Sequence, residues 1–185
     1  MDPRVGAVVA VVLIAVAVVV IALVIARQRR KANLRRQFGP EYERTVREVG
    51  PNRADTVLLA REKRVSKFSL RELTPDERQY FTNEWRILQS KFVDDPLGSV
   101  ADADILVDRL MQARGYPMTE FEQRAADISV GHASVVDNYR AAHAIALRHR
   151  SGSATTEDLR NAIIHYRALF TELLQEPGTR RKAVA

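Results

Sequence analysis

The sequence contains no cysteine, which excludes a disulfide framework, a thiol nucleophile and any cysteine-bearing zinc site. Glycine is sparse, eight in 185 residues, and none of the eight forms a phosphate-cradling loop motif. Asn-Gly, Asp-Gly and Gly-Gly are missing, and no stretch alternates apolar and polar residues between turn signals, so β-hairpins are not expected. The four histidines, His132, His143, His149 and His165, include no pair three or four apart, as a helical metal site requires. His132-Ala133-Ser134 lacks the strand and glycine-flanked turn of a nucleophile elbow. Asp104 and Asp108 share a helix face, but no calcium loop surrounds them, and carboxylates early in a helix are favoured by its dipole. No catalytic residue, cofactor or metal is therefore expected.

A surplus of one charge is also lacking over most of the chain. The formal net charge is +6, yet residues 27–36 alone hold six cations and no anion. From residue 37 onward, 22 Lys and Arg balance 22 Asp and Glu. A nucleic-acid surface would show a basic face interleaved with aromatics, so no nucleic-acid partner is expected.

What the chain does have is one long apolar run. Val5 to Ala26 is built of Val, Ala, Ile and Leu with a single Gly, 22 residues in all. As a helix it would be about 33 Å long, enough to cross a hydrocarbon core of about 30 Å. The cations Arg27, Arg29, Arg30, Lys31, Arg35 and Arg36 follow it, against Arg4 alone before it. The positive-inside bias then places the N-terminus outside and the C-terminal domain in the cytoplasm, at the inner (plasma) membrane. A cleavable signal is the rival reading. It fails because the n-region carries no excess charge, the run is too long, no polar segment precedes the cut, and the cations lie on the wrong side. The six collar cations are expected to contact anionic lipid head groups.

The organisation expected from these signals is an anchor over 1–26, a basic collar over 27–37, a helical domain over 38–176 and a basic disordered tail over 177–185. The fold class is all-α: one transmembrane helix, then a bundle-like domain of about five to six helices. Gly39-Pro40 and Gly50-Pro51-Asn52 bracket a short helix, and a second runs to about Lys67 with Ala54, Leu58 and Val65 on one face. The opposite face, Arg61, Lys63, Arg64 and Lys67, reads as solvated. Thr74-Pro75-Asp76-Glu77 is a capping-box start, followed by the stripe Phe81, Trp85, Leu88 and Phe92. Asp95 caps the next helix, with Val100, Ala103, Val107, Leu110 and Met111 facing inward as far as Gly115. A short segment from Thr119 to about Asp127 precedes a longer helix starting near Ser129 to His132, with inner residues Val135, Tyr139, Ala142 and Ala146. The last helix opens at Thr155 or Thr156 and carries Leu159, Ile163, Tyr166, Phe170 and Leu173.

Several of these segments carry a resemblance. Residues 89–96 (QSKFVDDP), Ala101-Asp102-Ala103-Asp104 with Leu106-Val107, Arg114-Gly115-Tyr116-Pro117, Tyr139-Arg140-Ala141-Ala142-His143 and residues 38–46 (FGPEYERTV) resemble a family of uncharacterised single-pass membrane proteins of actinobacteria. The resemblance covers most of the region after the collar. It implies an envelope location and a mainly helical fold, and no activity, ligand or catalytic residue.

Two functions fit this reading. The first is a helical interaction or scaffolding module held at the inner membrane surface, with a membrane or cytoplasmic protein as partner. The second is binding of a small molecule or lipid, or an unrecognised catalysis, in a pocket between helices where Tyr116, Asp127, Tyr139, Arg140 and His143 would converge. The absence of a reactive set favours the first.

Overall fold

Proline opens five of the eight helices, where its missing N–H and preset φ fit the first turn, and the starts at Pro40, Pro75 and Pro96 were legible for that reason. The computed structural model describes residues 3–150 and 153–175, with the side chains of 3–12 and of 150 outside the described set. The tail 177–185, with its cations Arg180, Arg181 and Lys182, also lies outside it. Among the described residues every regular element is an α-helix: α1 Pro3–Phe38, α2 Pro40–Val49, α3 Pro51–Val65, α4 Pro75–Lys91, α5 Pro96–Ala113, α6 Phe121–His132, α7 Val136–Arg150 and α8 Thr156–Leu174. The all-α class holds.

Seven helices follow α1, not five to six. Both short segments, the one opening at Pro40 and the one following Thr119, form helices of their own and count among the seven. α2, with 10 residues, and α6, with 12, are too short to persist alone, but each buries a face: Tyr42 and Thr45 in α2, Ala125 and Ile128 in α6. The boundary between α6 and α7 also differs from expectation. The chain breaks at Ala133–Val135, with no Gly or Pro at the break. Ser129, read as a helix start, sits inside α6 with its hydroxyl donating to the Ala126 carbonyl at 2.6 Å. The inner residues of α7 are Val136, Tyr139, Ala142 and Ala146, with Val136 in place of Val135.

The first helix does not end at the collar. α1 continues through it without interruption for 36 residues. Side chains from Leu13 to Ile25 are exposed on all sides, and the helix first enters a core at Leu34 and Phe38, which are 3% and 0% exposed. Among the described residues no helix is long and apolar enough to cross a membrane. The side chains of residues 5–12, the first part of the Val5–Ala26 run, lie outside that set.

Two apolar cores result. The smaller joins Leu34 and Phe38 of α1 to Tyr42 of α2 and Leu58 of α3, with Val130 of α6 against its edge. The larger is built from α4 to α8 and includes the expected stripes of α4, α5 and α8, with Phe92 only partly buried. α8 lies between α5 and α7, and its Phe170 stacks on Trp85 at 4.6 Å. Each large side chain removed from water in this way contributes about 1.5–3 kcal/mol.

Local signals place the ends of the helices. Thr74 accepts from the Glu77 N–H and Glu77 from the Thr74 N–H, a complete capping box at α4; Thr155 and Asp158 do the same at α8. The Asp95 carboxylate accepts from the Gly98 N–H at 2.8 Å at the start of α5. Gly115 has φ +89°, and a Cβ there would lie 2.3 Å from the Ser69 carbonyl oxygen. Both the backbone and the close approach therefore require glycine.

Candidate functional site

The two cores meet along a seam that is ionic. Glu41, in the first turn of α2, is fully buried, and such a carboxylate needs cationic partners. It has two, from different helices. Arg61 of α3 donates to Oε1 at 2.6 Å, and Arg140 of α7 grips both oxygens at 2.7 and 2.9 Å. Burial pushes the Glu41 carboxyl upward, but hydrogen bonds and charge from Arg140 and Arg61 outweigh it and hold the group below the ordinary glutamate value. One helical turn along α3, Arg64 reaches Asp127 of α6 at 3.0 and 3.3 Å, and Gln123 donates to the same carboxylate at 2.8 Å. The face of α3 read as solvated thus supplies Arg61 and Arg64 to the seam, while Lys63 and Lys67 stay exposed.

A second polar cluster lies within the larger core. On α5, Asp104 accepts from the Tyr166 hydroxyl at 2.9 Å, and Asp108 accepts from Arg124 at 2.8 Å with the Tyr139 hydroxyl 3.5 Å away. Burial raises the Asp108 carboxyl, and the Arg124 charge opposes it. Burial likewise raises the hydroxyls of Tyr139 and Tyr166 far above the ordinary tyrosine value. Neutral phenols facing carboxylates act as hydrogen-bond donors, and here they tie α7 and α8 to α5.

The five residues expected to share a pocket are divided among these arrangements. Arg140 is held by Glu41, Asp127 by Arg64, and Tyr139 faces Asp108. His143 stacks on Phe121 at 3.6 Å, nearly parallel. Tyr116 is buried and its hydroxyl is pushed up to about 12 by desolvation, with Arg114 opposing. Tyr116 and Asp127 do influence each other electrostatically, as do Tyr139 and the α5 carboxylates. Phe121 links two of the five, its ring centroid lying 4.8 Å from that of Tyr139 and 3.6 Å from that of His143. Of the collar cations, Arg35 turns to α2, pairing with Glu43 at 3.7 Å and covering the Tyr42 ring at 5.2 Å. Arg27, Arg29, Arg30 and Arg36 are exposed along α1, and Lys31 is partly covered.

The seam was missed because its ion pairs join residues 20, 63 and 99 positions apart, which no helical spacing reports. The one available signal was a carboxylate, Glu41, on the same side of a short helix as Tyr42 and Thr45. Chemically, each seam carboxylate is already saturated by guanidinium or amide donors. Among the described residues no group of three His, Asp or Glu is placed to hold a metal ion. A groove of about 290 Å³ lies elsewhere, between α4 and α5.

Comparison with protein-family models, with curated proteins and with solved structures finds no match.

Proposed function

We propose that this chain is a single-pass membrane protein, N-terminus outside, whose helical cytoplasmic domain is an interaction or scaffolding module at the inner membrane surface. The observation that carries the reading is the exposure of α1. Ten large apolar side chains between Leu13 and Ile25 are 43–64% exposed and lie on every side of the helix, with no other described part of the chain covering them. A helix apolar all round belongs in an apolar surrounding, and lipid supplies it. The cations that follow favour the cytoplasmic side and anionic head groups. The resemblance to single-pass actinobacterial membrane proteins agrees with this placement. The module reading is supported by the engagement of Asp127, Tyr139 and Arg140 in contacts that tie one helix to another.

The test is fractionation followed by crosslinking. The full chain should stay in the membrane pellet after alkaline carbonate, and a C-terminal reporter active only outside the cytoplasm should be silent. Crosslinking in intact membranes should then recover protein partners. Release by carbonate would overturn the anchor, a bright reporter the topology, and a co-purifying small molecule without a protein partner the module.

A further inference from the structure

The groove between α4 and α5 has an internal symmetry that points to its occupant. Its α4 wall is Glu84, Ile87, Leu88 and Lys91: acid, Ile, Leu, base at positions i, i+3, i+4 and i+7. The α5 wall, Asp102, Ile105, Leu106 and Arg109, repeats that order eighteen residues later. The four-residue connection Phe92–Asp95 makes the helices antiparallel neighbours, and the Lys91–Asp102 ion pair at 2.7 Å fixes their register. Glu84 therefore lies beside Arg109 at one end of the groove, and Lys91 beside Asp102 at the other. The two leucines, each 5% exposed, form the floor. Ile87 and Ile105, 63% and 50% exposed, stand at the centre.

Antiparallel copies of one pattern are related by a local two-fold axis through the middle of the groove, so acid and base alternate around its four corners. Such a face is complementary to itself. If a second copy is laid on it about an axis along the helices, Glu84 meets the second copy's Arg109 and Lys91 meets its Asp102. About an axis across the helices, Glu84 meets the second copy's Lys91 and Asp102 meets its Arg109. All four corners pair in both arrangements, and the central isoleucines cover one another. This is what an isologous interface requires. We propose that the α4–α5 face is a homodimer interface, in which two helical hairpins pack into a four-helix arrangement. The proposal uses no residue of α1 and stands apart from the membrane reading.

The cysteine-free chain makes the test direct. In whole cells expressing the full chain, Ile87→Cys, Ile105→Cys and the double variant are oxidised, with Ile164→Cys on α8 as the exposed control outside the groove. The expected result is covalent dimer from Ile87→Cys alone if the axis crosses the helices, and from the double variant if it runs along them, in each case well above the control. Adding Glu84→Lys with Asp102→Lys should abolish that dimer. Co-expression with a chain carrying Lys91→Glu and Arg109→Glu should restore it as a mixed species. Dimer no more abundant than the Ile164→Cys control, or unchanged by charge reversal, overturns the proposal. All substituted positions are exposed except Glu84, which is half-buried, and circular dichroism of the purified variants checks that the helices persist.

Discussion

Glu41 shows how much one side chain can hold together. Its carboxylate is the only acidic group facing both Arg61 and Arg140 at ion-pair distance among the described residues. Removing one partner from a buried ionic set leaves the others uncompensated, at about 3–5 kcal/mol. Glu41→Gln in the full chain, in detergent micelles, should therefore lower the unfolding free energy by about 3 kcal/mol in a denaturant titration. The sign of its pH dependence follows from the depressed carboxyl. The stabilisation is present above the ordinary value of 4.5 and is lost as pH falls below it through the folded value. The gap between the native chain and Glu41→Gln should close over that acid range and stay constant near neutrality. Gly115 is the second sensitive position. Gly115→Ala sets a methyl against the Ser69 carbonyl in a left-handed conformation, and should destabilise the fold by more than the about 0.4–1 kcal/mol that an ordinary Gly→Ala replacement gains, read as a lowered thermal midpoint.

For the helices, the ends matter as much as the faces. At α8 the Thr155 hydroxyl accepts from the Asp158 N–H at 3.1 Å, and α8 is the helix against which α5 and α7 both pack. Thr155→Ala should lower stability by about 1 kcal/mol, and Thr155→Ser should restore most of it; parallel denaturant curves measure both. This kind of local signal is what the sequence makes legible. The stripes of α4, α5 and α8 and the capping residues Thr74, Asp95 and Thr155 were readable because each depends on neighbours within one or two turns. The α6–α7 break was not, because Ala133–Val135 has no Gly or Pro and the turn is held by packing. Tyr139 was assigned to the inner stripe of its helix, and it is fully buried there. What periodicity cannot give is the azimuth of one helix relative to another. That angle sends Arg140 to Glu41 and Asp127 to Arg64.

Across the whole molecule, the smaller core ties α1 to α2 and α3, the larger unites α4 to α8, and the ionic seam joins them. No flexible linker intervenes between the exposed apolar part of α1 and the first core, since the helix runs unbroken from Ala26 to Leu34. Over those eight steps it rises about 12 Å. The collar therefore works as a ruler and a protractor. Each residue inserted there would lift the body by about 1.5 Å and turn it by about 100° around the helix axis relative to the exposed apolar part.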